Sequence, residues 1–419
     1  MKFLIFFITI FINLPDLFAG SRESEEAGID AIIGLVLEHN HSLRAANQGL
    51  NATTQLKKST GYLPDPMIKS NFFGSPIETR NGPQKSNIML SQTIPWPADL
   101  RADEKLAASQ ESVKKDEIDL LTLDLIFKTK SILYSYVGLY QKQENKRKMQ
   151  ESLKYLQQVV LSRVSLGSAS QADIARINIE LTSLSQGIRA IDSKLAGIRH
   201  RLQALTSGQL KNLRLPVTLS PDWVRPVSDA LHAQDFSNHP LLLASQAKIR
   251  SAEALLAKAT SNKRPKISAS LSWFQIDRPD SVMNGTSPGK DAWAVGAGIT
   301  LPLFQEKYSS MERSMIARRS EADQRLRQAR IDISSEFDRT LEEFKSLSEI
   351  SSMYQKDILP QARQALRSDK DSYSQGRASF ERVIENYLRV IRFEDLFIES
   401  QSQLATLRAQ LEKIAGKNL

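Results

Sequence analysis

Ser112-Val113-Lys114-Lys115 has the S-x-x-K spacing that would set a lysine base beside a serine nucleophile. It lies in a polar helical stretch without the companion motifs that chemistry requires. Gly296-Ala297-Gly298 lacks the third glycine of a dinucleotide cradle, and its alternating segment runs to Pro302 rather than into a helix. His39 and His41 are two apart, a spacing that does not place both on one helical face, and His200, His232 and His239 are isolated. The 419 residues contain no cysteine, which excludes disulfides, thiolate metal sites, a thiol nucleophile and a lipidated N-terminal cysteine. The chain therefore reads as a non-enzyme, with no cofactor and no metal site expected.

Charged residues are arranged more tellingly around two glycine breaks. Leu166-Gly167-Ser168-Ala169-Ser170 and Gln375-Gly376-Arg377-Ala378-Ser379 align at an offset of 209. That offset superposes Asp173 on Arg382 and Arg176 on Glu385, so equivalent positions carry opposite charges. Two such tips brought together would pair Asp173 with Arg382 and Arg176 with Glu385, each exposed pair contributing about 0 to 1 kcal/mol. Elsewhere the 56 Lys and Arg are interspersed with 47 Asp and Glu, and the net +9 never gathers into a basic block. No nucleic-acid partner is expected.

The elements that position these tips are written twice. Asn40-His41-Ser42-Leu43 resembles Asn238-His239-Pro240-Leu241, and each opens a helical stretch that ends near a proline, Pro66 or Pro265. Two alternating segments follow, then a very long helical pattern, about 98 to 165 and 305 to 375, then the glycine break and a further helix. Self-similarity at about 200 residues is a tandem duplication, too long for a solenoid repeat. The expected repeats span 20–208 and 228–419, joined by a proline-bearing linker at 209–227. The first holds strands at about 67–74 and 86–94 and a helical hairpin at about 98–208. The second holds strands at about 266–276 and 291–301 and a hairpin at about 305–416.

Before the first repeat, Lys2, the apolar run Phe3 to Leu14 and the small residues Ala19 and Gly20 follow the order of a secretory signal peptide, expected over 1–19. Twelve apolar residues are too few to cross about 30 Å of hydrocarbon as a helix, and no later run reaches 18. A membrane-spanning part would have to be β-strand.

Ile174, Ile177, Leu181, Leu184, Ile188, Ile191, Leu195, Ile198, Leu202 and Leu205 are spaced alternately three and four apart, a coiled-coil seam of more than four heptads. Val383, Val390, Phe393, Phe397, Leu404, Leu407, Leu411 and Ile414 repeat that register. The long helix at 98–165 would be about 100 Å long at 1.5 Å per residue. It carries apolar residues on two faces, so it needs two helical neighbours.

Ile267, Ala269, Leu271 and Trp273 alternate with serines, and Trp293, Val295, Ala297, Ile299 and Leu301 alternate with Ala294, Gly296, Gly298 and Thr300. Segments of about nine residues with one apolar face and a tryptophan near one end fit outer-membrane barrel strands, with Ile267, Leu271, Trp273, Trp293, Val295 and Ile299 facing lipid. Four strands cannot enclose a lumen, so such strands are shared among identical chains or are ordinary hairpins.

In this duplicated order, with the strand exits Gln92-Thr93-Ile94-Pro95-Trp96-Pro97 and Thr300-Leu301-Pro302-Leu303-Phe304 and the break Tyr373-Ser374-Gln375-Gly376, the chain resembles the TolC-like outer-membrane efflux proteins from about residue 29 to 417. The resemblance implies a mainly α fold with a small β part. It implies tandem-duplicated α-helical hairpins forming a coiled-coil tunnel, and four strands contributed to a trimeric 12-stranded transmembrane β-barrel. It further implies a passive efflux duct in the outer membrane of a Gram-negative cell that extends into the periplasm. Its expected partners are two further copies of the chain, outer-membrane lipid, a periplasmic adaptor (membrane fusion) protein and an inner-membrane efflux pump. Family members latch the periplasmic tip with residues at the positions of Tyr373 and Asp173 beside the break glycines Gly167 and Gly376. Their latch arginine falls here on Ala378, with Arg377 next to it, and their acidic constriction falls on Arg382 and Glu385, so a doubly acidic ring is not expected. The competing expectation is a periplasmic coiled-coil adaptor or scaffold without a barrel.

Overall fold

The computed structural model describes residues 28–212, 214–218, 220–224, 235–278 and 289–416. The signal peptide expected at 1–19, the first residues of both repeats (20–27 and 228–234) and five residues of the linker lie outside them. The chain is mainly helical with one small sheet. Its first half runs through α1 (Ile29–His39), α2 (His41–Lys58), β1 (Met67–Thr79), β2 (Gly82–Ile94), α3 (Pro97–Ser165) and α4 (Gln171–Leu205). Its second half runs through α5 (Pro240–Ser261), β3 (Lys266–Ile276), β4 (Ala292–Thr300), α6 (Gln305–Met353), α7 (Leu359–Ser374) and α8 (Phe380–Ala415).

The strands form one antiparallel sheet in the order β1-β2-β3-β4. Ile88 pairs with Trp273, Leu90 with Leu271 and Ile94 with Ile267 across its centre, where the two repeats meet. Trp96 Nε1, just past β2, donates to the Pro265 carbonyl at 2.7 Å and closes the same junction. The first hairpin is longer than its alternation suggests. Pairing continues to Thr79↔Gly82 past a register shift between Phe72 and Ile77, because Gly82, at φ 129°, takes a backbone conformation that side chains oppose.

α3 is a single helix of 69 residues, about 100 Å long. Pro97 opens it at a position where a missing N–H is harmless. It has neighbours on several sides: α2 and α5 beneath the sheet, and α4 and α8 along the hairpins. On α4 the seam residues Ile177, Leu184, Ile191, Leu195, Ile198 and Leu202 are buried, while Ile174, Leu181, Ile188 and Leu205 are half-buried.

The long helix expected at 305–375 is not continuous. A π turn at Tyr354–Ile358 divides it into α6 and α7. Pro360 has no N–H to offer the preceding turn, and its ring opposes the carbonyl four residues back; the wider turn absorbs that conflict within an otherwise unbroken rod.

The repeats also share a joint that the sequence alignment places one residue out. Asn40 Oδ1 caps α2 by accepting from the Ser42 and Leu43 N–H groups at 3.0 and 3.2 Å, while Nδ2 donates to the Leu205 carbonyl at the end of α4 at 3.1 Å. In the second repeat the same double task falls to His239, which caps α5 through Nδ1 at 3.1 Å from Leu241 N. Its Nε2 lies 3.3 Å from the Lys413 carbonyl in α8. Asn40 and His239 are thus the equivalent residues, rather than Asn40 and Asn238. Burial holds His239 below the usual histidine range.

Candidate functional site

Two regions place the residues singled out above: the paired hairpin tips and the face of the sheet. At the tips, Gly167 and Gly376 take φ of 72° and 74°, left-handed values that terminate a helix without a Cβ clash. Both ends are closed by the same pair of bonds. Ser168 N donates to Arg163 O at 2.8 Å and Gly167 N to Val164 O at 3.0 Å; Arg377 N donates to Ser372 O at 2.8 Å and Gly376 N to Tyr373 O at 2.9 Å. The return helices then start on serine caps. Ser170 and Asp173 form a reciprocal capping box at the start of α4, and Ser379 Oγ accepts from Arg382 N at 3.4 Å at the start of α8.

Tyr373 is buried at the centre of this end. Its ring lies 5.7 Å from that of Phe380, in a core shared by both hairpins that includes Leu153 and Val160 of α3, Ile177 of α4, Leu366 of α7 and Val383 and Tyr387 of α8. The Arg163 guanidinium lies over the ring at 4.5 Å from its centroid, and Nη1 donates to the Tyr373 carbonyl. Burial pushes the Tyr373 phenol up from its ordinary value; Arg163 opposes the shift and the nearby Asp173 adds to it. The hydroxyl finds no hydrogen-bond partner among the described residues. Sequence reasoning missed Arg163, whose position four residues before Gly167 carries no signal until the two hairpins are placed together.

Most of the other tip charges find partners within the chain. Arg382 Nε lies 3.0 Å from Asp369, whose side chain is buried and also receives the Asn386 amide. Glu385 pairs with Arg389 one turn on at 2.8 Å, and Arg176 reaches Glu381 at 3.4 Å between α4 and α8. Asp173 is held by its own cap, and Arg377 is exposed. Within one chain the structure therefore joins Arg163 to Tyr373 and Arg176 to Glu381. It does not join Asp173 to Arg382 or Arg176 to Glu385. Deeper in the same core the Tyr387 hydroxyl donates to the Met149 carbonyl, tying α8 to α3, and burial pushes that phenol up to about 12.

The sheet presents the opposite of a soluble hairpin, since its apolar face is open. Trp293 and Val295 are each 73% exposed, Ile299 64% and Leu271 50%, with Ile267 and Trp273 also exposed. Register adds four residues that sequence reasoning missed: Ile68 and Phe72 of β1 and Ile88 and Leu90 of β2 lie on this same face, and Phe72 is 82% exposed. Ser70 and Gln92 interrupt the alternation there and hide it. Along the middle of β3 and β4 the other face is small and polar, with Ser268 opposite Gly298 and Ser270 opposite Gly296. A Cβ on either glycine would come within 2.7 Å of the facing serine hydroxyl. The outer edges of β1 and β4 pair with no other strand among the described residues. Among the described residues no helix is long and apolar enough to cross a membrane.

Comparison with known proteins gives the same picture. The family described as outer membrane efflux protein matches residues 233–417. No curated protein matches the chain. Among solved structures, the Campylobacter jejuni CmeC outer membrane channel is 18% identical at a TM-score of 0.74, covering 97% of this chain and 93% of that one. The open state of the Neisseria gonorrhoeae MtrE outer membrane channel is 15% identical at 0.75, covering 93% and 89%. The Vibrio cholerae outer membrane protein VceC is 16% identical at 0.74, covering 93% and 96%. At such identities the likeness speaks for the fold. The chain thus has the fold of the outer-membrane efflux channels along its described length, and over residues 233–417 it matches the outer membrane efflux protein family.

Proposed function

We propose that the protein is an outer-membrane efflux channel, a passive duct in a Gram-negative outer membrane that extends into the periplasm as a helical tunnel. The observation that carries this reading is the open sheet, whose four strands expose a mostly apolar face and leave both outer edges without a strand partner among the described residues. An edge that offers unpaired N–H and C=O groups cannot lie in hydrocarbon. Joining β4 of one chain to β1 of the next removes both edges, and three chains give twelve strands, enough to enclose an aqueous lumen.

The helices support the same assembly. α3 and α4 leave Tyr155 and Ile179 exposed, apolar surface for a neighbouring hairpin to cover. In this reading the break turns at Gly167 and Gly376 form the periplasmic end of the tunnel. Asp173, Arg176, Tyr373, Arg377, Arg382 and Glu385 then belong to a gate that closes where three pairs of tips converge. An adaptor docked on the tips would open it and connect the duct to an inner-membrane pump.

Membrane fractionation followed by conductance in planar bilayers tests the reading. The protein should sediment with the outer membrane, and the purified protein should insert as channels of uniform size. A protein recovered in the soluble periplasmic fraction and silent in bilayers would favour a coiled-coil scaffold instead.

A further inference from the structure

Beneath the sheet, α2, α3, α5 and α6 lie side by side, each packed on the next. One cavity of about 720 Å³ is lined by residues of all four. It opens to solvent on one side of this four-helix layer, where Arg318, Glu321 and Arg325 are exposed. Its lining falls on one face of each helix, as with positions 248, 252 and 255 of α5 and 318, 322 and 325 of α6.

The lining is unbalanced in charge. Lys114, Lys248, Arg318 and Arg325 face the cavity against Glu321. Arg325 pairs with Glu321 at 2.6 Å. Lys114 and Lys248 share Glu117, at 2.9 and 3.9 Å. Arg318 has no ion pair among the described residues. Four cations thus meet two carboxylates, over a floor that includes Leu56, Val113 and Leu255. The volume is that of small-molecule sites, where an apolar floor and a few charged groups usually meet.

We propose that this wall is an anion-recruiting section of the duct that takes amphipathic organic anions, the four cations meeting the acid group and the apolar floor the body of the molecule. The proposal rests on the channel reading, because only a closed ring with this side of the layer turned inward makes it an inner wall. Threefold repetition would then place the surplus positive charge around one lumen, where low-dielectric walls focus the field. The effect should be largest at low salt, since the screening length is about 10 Å at 0.1 M.

Two measurements on the full-length protein in nonionic detergent and in planar bilayers test it. By titration calorimetry, 1-naphthalenesulfonate should bind and 1-naphthylmethylammonium, of similar apolar body and opposite charge, should not. Arg318→Glu with Arg325→Glu should weaken sulfonate binding about tenfold or more. Arg318→Gln, which removes only the unpaired cation, should weaken it less and gives a second reading if the charge reversal disturbs assembly. Arg327→Glu, on the opposite face of α6, where Arg327 pairs with Asp323 at 3.0 Å, should leave binding unchanged. In a dilute KCl gradient the wild-type reversal potential should show anion preference, and the double variant should lose it. Equal binding of both probes, or equal loss in Arg327→Glu, would overturn the proposal. Sulfonate binding without any conductance would overturn the channel reading and leave the anion site standing; conductance without charge discrimination would do the reverse.

Discussion

Arg163 and Tyr373 hold the two hairpin tips of one chain together. The guanidinium lies 4.5 Å from the ring centroid and donates to the backbone carbonyl of the same residue. Because Arg163 belongs to α3 and Tyr373 to α7, one side chain bridges the hairpins at their ends. The tips of a single chain should then move as a unit, and in the proposed channel any opening should occur between chains.

Removing that bridge should loosen the tip. A desolvated cation over an aromatic face contributes about 0.5 to 2 kcal/mol, so Arg163→Ala should raise single-channel conductance and speed proteolysis near Gly167 and Gly376. Tyr373→Phe should change either readout far less, because the hydroxyl is buried without a partner among the described residues. A large opening by Tyr373→Phe would show that the hydroxyl is bound by a neighbouring chain.

The seam of α4 supplies a graded test of packing. Ile177 is fully buried, and truncating it to Ala should cost about 2 to 5 kcal/mol locally. Ile188 is only half-buried, so Ile188→Ala should cost less. Thermal unfolding of both variants checks the order; equal costs would mean that a neighbouring chain covers Ile188.

The two faces of the sheet should respond oppositely to charge. Val295→Arg places a cation on the exposed apolar face and should cost about 2 to 4 kcal/mol at mid-membrane. Ser270→Lys, on the small polar face opposite Gly296, should leave insertion intact and alter conductance. Equilibrium unfolding in lipid vesicles measures both, and comparable destabilisation would show that the second face is not a lumen.

Acid should weaken the second repeat at His239. Burial holds its folded pKa below the ordinary value, and protonated Nδ1 cannot accept from Leu241 N. As pH falls below about 6.5 the unfolded chain takes up a proton that the folded chain resists, so stability declines until the folded pKa is reached. His239→Asn, the residue that performs the same task at Asn40, should remove this histidine's share of the acid loss. Thermal unfolding from pH 8 to pH 5 should show a smaller decline in the variant than in the wild type.

Much of this architecture is legible in the residues because long periodic patterns tolerate few alternatives. The α4 seam from Ile174 to Leu205 has no gap, and the strict alternation at Ile267 to Trp273 and Trp293 to Ile299 reads as strand without further help. Other features depend on contacts between distant segments. The placement of Ile68, Phe72, Ile88 and Leu90 on the exposed apolar face needs the register that crosses β1, β2 and β3. Arg163 is tied to Tyr373 only where the end of α3 meets the end of α7. The π turn before Pro360 is absent from the sequence reading because the helical pattern continues through it. His239 matches Asn40 in task but not in type, which is why similarity of letters aligned the neighbouring Asn238.

The central claim is that β4 of one chain joins β1 of the next and that three chains close the ring. The chain has no cysteine, so a Ser70→Cys, Val295→Cys variant carries thiols only at the middle of those two strands. Treated with a flexible bis-maleimide in membranes and run on a denaturing gel, it should give cross-linked dimers and trimers and nothing larger, with each single variant giving at most dimers. Monomers alone, or an open ladder beyond three chains, would contradict the shared barrel.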